Sequence, residues 1–474
     1  MKKFLMFALL AAFVLSAAAA SAATTLKTSG QMDYAFGWTD NTNFFSTNDD
    51  KANEDDLMAS QRLRAWFDWS ASEALRGVFG IEFGTAIWGN QATGADLDGD
   101  ERAIEVKHAY MDFTVPNTAL MVRMGLQPIA LPNQFGSPIF DYDVPGILLQ
   151  YKFNDMVSGA LAWMRLGNQN TGTNNAISNV KGAKNDEVDA FALMLPIKGT
   201  GFEFTPWGAY ALHGANATQA GAGGALAGGL VATNASAPIA DNLDVFWVGG
   251  SFKLTAFAPF EVMADLIYGK QDGSNNSRND REGWFFDLGV HYKMDKVTPG
   301  IFFMYSTGDD DDPSNGSERI PTVGANVFFT SFGFAGATGI LDEGPGFADR
   351  ELSSDGTEGM WVLGGQLADF SFLKDLTHVV RVAYGQGTAD ADIVKSRGIV
   401  QTLTEKDSFW EVNFDSAYSI YENLTAYIET GYINLDLDDA VWNSKYGRST
   451  GVYAATADKT TAAWKLAVNL TYKF

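Results

Sequence analysis

Residues 464–474 alternate with a period of two: Trp464, Leu466, Val468, Leu470, Tyr472 and Phe474 interleave with Lys465, Ala467, Asn469, Thr471 and Lys473. A β-strand puts successive side chains on opposite faces, so this segment has one apolar face and one mostly polar face. The apolar face begins and ends on aromatic residues, and about ten residues of such alternation is the length that crosses an outer membrane at a tilt. A strand of a soluble sandwich reads the same way. Repetition of the pattern along the chain, and an export address, decide between the two.

The address is at the N-terminus, where Lys2 and Lys3 precede an apolar run over residues 4–15 and small residues ending Ala20-Ser21-Ala22. This is the composition of a secretory signal peptide cleaved after Ala22, and its apolar run is too short for a retained membrane helix. The expected organisation is a cleaved signal over residues 1–22 and one barrel domain over residues 23–474. No later stretch offers the consecutive apolar residues of a spanning helix. A chain of this kind enters a bilayer only as a closed barrel, because lipid offers backbone groups no partner.

The absence of cysteine removes disulfides and thiolate metal sites. A formal charge of −24 argues against nucleic acid as a partner and favours attraction of cations.

Taken in order, Leu26, Thr28, Gly30, Met32, Tyr34, Phe36 and Trp38 share one face, with Lys27, Ser29, Gln31 and Asp33 on the other. Leu63, Ala65, Phe67 and Trp69 oppose Arg62, Arg64, Asp68 and Ser70; Leu75, Gly77, Phe79, Ile81 and Phe83 oppose Arg76 and Glu82. Leu120, Val122, Met124 and Leu126 oppose Arg123 and Gln127. Residues 104–115 read as a strand whose inward face stays open, since both registers carry polar residues. Counting the remaining segments through to the last gives eighteen strands, with sixteen as the alternative. Short connections at 116–117, 154–155, 196–199, 295–296 and 422–423 alternate with much longer ones. Turns at one rim and loops at the other are how an up-and-down transmembrane β-barrel is connected, and a sandwich has no reason for that regularity. The expected fold class is therefore all-β, a transmembrane antiparallel barrel.

Two long connections stand out. Residues 214–241 are Ala/Gly-rich and read as a surface loop. Residues 306–359 hold an apolar patch, 327–334, that is expected to pack on the barrel mouth or on a neighbouring subunit.

The signal peptide, the alternating strands, the run Met121-Val122-Arg123-Met124-Gly125 before a proline-containing third long loop, and the terminal Tyr472-x-Phe474 together resemble a Gram-negative general porin. More narrowly, the chain resembles the outer-membrane homotrimeric porins of sulfate-reducing bacteria. The resemblance implies an outer-membrane location, a homotrimer in contact with lipid and lipopolysaccharide, and recognition of Tyr472 and Phe474 by the barrel-assembly machinery. It also implies an inward-folded third loop, residues 128–146, whose Asp141 and Asp143 face a ladder of arginines across the lumen. By position and phase those arginines are Arg62, Arg64, Arg76 and Arg123. Opposed charges across a wet gap would set up a transverse field that favours small polar solutes. The expected function is passive diffusion of small hydrophilic solutes and ions, with a modest cation preference. Eighteen strands resembles the sugar-specific channels rather than the usual sixteen-stranded porins, so a substrate-specific channel is one alternative, and a plugged structural or adhesive barrel is another.

No cofactor is required by this reading. Asp96, Asp98, Asp100 and Glu101, around Gly99, supply alternating carboxylates of the kind Ca²⁺ prefers, without the full spacing of a calcium-binding loop. Asp309 to Asp312 form a second, less shaped acidic group. An enzyme is not expected: of the four histidines, His291 lies four residues from Asp287 along one strand, beyond hydrogen-bond reach, and no nucleophile motif accompanies any of them. Trp207 and Trp247 fall in the polar register and are the candidates for an aromatic lining.

Overall fold

A computed structural model describes residues 24–40, 56–90, 104–168, 187–214, 242–272, 280–312, 314–324, 326–334, 359–392, 403–438 and 462–474. The expected signal peptide, the acidic run Asp96, Asp98, Asp100 and Glu101, and nearly all of the Ala/Gly-rich stretch lie outside the described residues.

Eighteen long strands form one antiparallel sheet. They are β1 (Thr25–Asp40), β2 (Asp56–Ser72), β3 (Leu75–Ile87), β4 (Glu105–Thr114), β5 (Leu120–Ala130), β6 (Asp141–Lys152), β7 (Ser158–Asn168), β8 (Glu187–Met194) and β9 (Phe202–His213). The second half comprises β10 (Leu243–Leu254), β11 (Phe260–Asp272), β12 (Arg281–Tyr292), β13 (Thr298–Ser306), β14 (Met360–Phe370), β15 (Leu376–Gly387), β16 (Ser408–Tyr421), β17 (Leu424–Asp436) and β18 (Ala463–Lys473). Each strand pairs with its neighbours in sequence, and β18 returns to β1 with Met32 opposite Tyr472 and Trp38 opposite Leu466. The sheet is thus closed, so no edge is left to lipid. The strand count is eighteen, not the sixteen kept as the alternative.

The alternation assigns the faces as the sequence predicts. On β18, Ala463, Lys465, Ala467, Asn469 and Thr471 are buried inside, while Trp464 and Tyr472 lie on the exposed outer face. The outer aromatics fall into two rows. Near the short-turn rim Phe260 packs edge-on against Tyr292, with ring centroids 4.8 Å apart; further up the same pair of strands Tyr268 meets Trp284 at 4.7 Å. Eight residues separate the two contacts along β11, which at the rise and tilt of a barrel strand is about 20 Å of height. Between the rows only Val262, Ala264 and Leu266 face outward from β11. Apolar side chains between two aromatic girdles match the hydrocarbon band of a bilayer.

The register left open over residues 104–115 has a local cause. Gly80 lies opposite His108 and Ile81 opposite Val106, so Lys107 is an extra, bulged residue that interrupts the alternation. Past the bulge, Tyr110 and Asp112 face inward, and Ala109 and Met111 outward.

The inside is not a uniformly wet tube. Ala160, Ala162, Ala190, Ala192, Ala209 and Ala211 make the inner faces of β7, β8 and β9 apolar, and they join one hydrophobic core with Ile129, Leu131, Ile139 and Phe140. Small side chains on the wall leave room for a chain segment to lie against it, and two segments do.

Candidate functional site

The third connection begins where β5 leaves the wall. β4 pairs with β5 only as far as Ala109 opposite Leu126; beyond that point β5 pairs with β6 alone among the described residues. Gly125 has φ of +125°, a conformation that favours glycine, and a Cβ there would run into the Ala109 carbonyl oxygen. Gln127, fully buried, holds the bend by donating from Nε2 to the Gly146 carbonyl at 2.9 Å. The loop proper is therefore residues 131–140, shorter than the expected 128–146. Its tip crosses to the opposite wall, where Gln134 donates its backbone N–H to Asp265 Oδ2 at 2.8 Å and its Nε2 to Ser251 Oγ at 2.7 Å.

A second inward segment, within residues 307–334, crosses beside the first. Asn326–Val327 pairs antiparallel with Gly136–Ser137 of the first loop. Phe329 stacks between Phe135 at 5.1 Å and Phe302 at 5.5 Å. Trp247, 3% exposed, donates its indole N–H to the Pro321 carbonyl at 2.7 Å, and Trp207 is 4% exposed. Neither lines an open path. At the far wall Glu411 accepts from Thr330 Oγ1 at 2.8 Å and from the N–H groups of Phe332 and Gly333, while Lys465 Nζ donates to the Ser331 carbonyl at 2.7 Å. The apolar patch 327–334 thus packs inside the barrel, not against another subunit. At its root Thr307 Oγ1 donates to the Glu318 carbonyl, and burial together with the nearby Asp309 and Asp310 raises the Glu318 carboxyl above its usual range. Asp309 is itself buried against Ser317 and Arg319. Among the described residues no three or more His, Cys, Asp or Glu side chains are arranged to hold a metal ion.

Solvent-accessible charged side chains are most densely grouped on β2 to β6, while Lys253 with Glu261, and Arg381 with Asp415, form smaller pairs elsewhere on the inner wall. Arg76, 39% exposed, donates to Asp112 at 2.5 Å and to Asp68 at 3.1 Å, and Arg123 donates to the same Asp112 at 2.6 Å while its guanidinium lies 4.5 Å over the Tyr110 ring. Higher up, Arg64 is paired with Glu82, and Lys107 Nζ reaches Glu82 at 3.6 Å and Asp143 at 2.6 Å. His108 Nε2 is 2.9 Å from the other Asp143 oxygen, and Trp66 donates its indole N–H to His108 Nδ1 at 3.0 Å. A cavity of about 600 Å³ opens at the short-turn rim below this seam, lined in part by Thr25, Ser70, Glu73, Arg76 and Asp112.

This corrects the expected constriction in three respects. Asp141 and Asp143 lie on strand β6, opposite Ala130 and Pro128, and not on a free loop. Asp143 bonds to Lys107 and His108 at the seam where β5 peels away, so acids and bases interleave on one wall instead of opposing each other across a gap. Arg62 is sealed, with a side chain 6% exposed and 3.9 Å from Asp33. Of the expected arginines, Arg64, Arg76 and Arg123 belong to the wet seam. Trp66, Glu82, Lys107, His108 and Asp112 complete it, though sequence reasoning did not single them out; Trp66 carried a signal, standing in the inward phase between Arg64 and Asp68.

No protein-family model and no curated protein sequence matches the chain. Among solved structures its fold is similar to that of Acinetobacter baumannii OccAB3, with a TM-score of 0.52 and 11% identity over 94% of this chain and 100% of that one. Pseudomonas aeruginosa OpdQ gives 0.51 and 10% over 95% and 98%, and Pseudomonas aeruginosa OccK8 (OprE) gives 0.51 and 12% over 95% and 98%. What the likeness shows is the fold, the closed antiparallel barrel described above.

Proposed function

We propose that the chain forms an outer-membrane channel for passive diffusion of small hydrophilic solutes and ions, and that the water path follows the seam on β2 to β6. The observation that carries this reading is the contrast in accessibility: Arg76 is 39% and Arg64 27% exposed, whereas Asp287 and Glu411, equally inside the barrel, are wholly buried beneath the two loops. Charges kept wet at the cost of burying none of them fully are expected where solutes pass, and a lumen filled on its other side selects by size. The narrowing by two loops favours a selective channel over a wide general one.

The seam itself is nearly balanced, since Arg64, Arg76, Lys107 and Arg123 stand beside Asp68, Glu82, Asp112, Asp141 and Asp143. A modest cation preference would then come from the acid excess of the whole chain. The same reading includes a homotrimer in lipid and lipopolysaccharide, assembly through Tyr472 and Phe474, and Ca²⁺ held by the acidic run Asp96 to Glu101. Purified protein inserted into a planar bilayer under a KCl gradient tests the proposal. Stepwise currents with a reversal potential of the cation-selective sign support it; inserted protein that passes no current supports the plugged structural barrel.

A further inference from the structure

Trp66, Gly80 and His108 occupy one row across three adjacent strands, Trp66 opposite Gly80 and Gly80 opposite His108. Gly80 offers no side chain, and a Cβ there would stand 3.0 Å from Trp66 Cδ1 and 3.1 Å from His108 Cβ. The indole therefore lies flat against the wall over the glycine, and its N–H reaches His108 Nδ1 at 3.0 Å.

An indole nitrogen is only a donor, so Nδ1 must be an acceptor and carry no proton. The imidazole proton then resides on Nε2 and donates to Asp143 Oδ1 at 2.9 Å. Both ring nitrogens are committed, and the arrangement holds only for neutral His108. Protonation adds a hydrogen at Nδ1, which faces the indole N–H head to head, while the bond to Asp143 is kept and strengthened. Of its two bonds, protonation of His108 thus breaks only the one to Trp66.

We propose that Trp66 is a proton-controlled gate on the seam, parked over Gly80 while His108 is neutral and displaced into the water path when His108 is protonated. Around His108 stand Trp66 from β2, Gly80 from β3, Lys107 and Tyr110 from β4 and Asp143 from β6; Arg64 and Glu82 pair with each other beside Lys107, and Asp141 acts on Asp143 and Lys107. Arg64 and Lys107 are each held by a carboxylate, so neither is at liberty to take the place of the indole as the partner of Nδ1.

The gate's electrical readout rests on the proposed channel function, so the test has two arms. In single-channel recordings at symmetrical pH stepped from about 8 to about 5, the wild type is expected to lose conductance reversibly or enter a lower sub-state. His108→Gln offers a fixed acceptor to Trp66 and a fixed donor to Asp143, and Trp66→Phe removes the donor but keeps a ring; whatever the level at which each conducts, that level is expected not to change with pH. In parallel, ¹⁹F spectra of 5-fluorotryptophan-labelled, detergent-folded protein, with the Trp66 line assigned by its loss in Trp66→Phe, are expected to show that line moving with pH in the wild type and standing still in His108→Gln. A Trp66 line that ignores pH, or a conductance response shared by the wild type and both variants, overturns the gate. A Trp66 line that moves in protein that never conducts leaves the switch in place and overturns the channel function instead.

Discussion

The backbone N–H of Gln134, in the loop between β5 and β6, meets the carboxyl group of Asp265 on β11 at 2.8 Å across the lumen. This bond, with that from Gln134 Nε2 to Ser251, fastens the tip of the first inward loop. Gln134→Pro removes both donors at once. One bond is to a carboxyl oxygen and the other to a hydroxyl, so the loop should lose about 3 kcal/mol of anchoring. Limited proteolysis is expected to cut within residues 131–140 in the variant and not in the wild type, with strand content by circular dichroism unchanged. Equal protection in both would contradict the anchoring role.

Glu411 is the corresponding fastening of the second segment. It is fully buried and accepts from Thr330, Phe332, Gly333 and Asn413. Glu411→Ala strands those donors and should cost about 3–5 kcal/mol, and Glu411→Gln, which keeps an acceptor oxygen, should cost less. The order wild type, Gln, Ala in the urea midpoint of protection of residues 327–334 is the expected result. Identical midpoints would mean that the aromatic stack around Phe329 alone holds the segment.

Phe474 closes the barrel. Its N–H and carbonyl exchange hydrogen bonds with Gly30 at 3.0 and 2.8 Å, and a Cβ on Gly30 would strike the Phe474 ring. Gly30→Leu should therefore interfere with the last step of closure and cost about 1–3 kcal/mol, seen as a larger fraction of chains that migrate as unfolded without heating on electrophoresis. A variant that folds as completely as the wild type would show that the ring moves aside freely.

The strands were legible because each one crossing a bilayer repeats the same period-two rule, and because turns and loops alternate. The face of β4 was not, for one bulged residue, Lys107, shifts every side chain before it to the other phase. Loop 131–140 was legible as inward, but its length was not, because the sequence does not mark how far β5 and β6 keep pairing after they leave the wall. The destination of the 327–334 patch followed from apolarity only as far as "packed on something". That it lies within the barrel depends on Glu411 and Lys465 of the far wall and on the stack with Phe135 and Phe302, partners distant in sequence that no local pattern announces. Pairing of Asp143 with Lys107 was beyond reach for the same reason as the register of β4.

Asp112 bridges Arg76 and Arg123 at the lower end of the seam. Asp112→Asn removes one negative charge from the water path. At about 10 Å in water a unit charge is worth about 0.4 kcal/mol, or about a two-fold change in local ion concentration. The reversal potential under a KCl gradient should move toward that of chloride by this ratio, and less so at high salt. A shift of the opposite sign would place Asp112 off the path.

The central claim, that water and solutes follow β2 to β6 while the wall beneath the two inward loops is sealed, is tested most directly by modification from the aqueous phase. The chain has no cysteine, so a single introduced thiol reports its own position. Arg76→Cys and Ser251→Cys are compared in single-channel recordings before and after a charged methanethiosulfonate reagent. The account predicts an abrupt change in conductance for Arg76→Cys and none for Ser251→Cys, which is 4% exposed beneath Gln134 in the native chain. Modification at Ser251→Cys with no effect at Arg76→Cys would place the path on the opposite wall and contradict it.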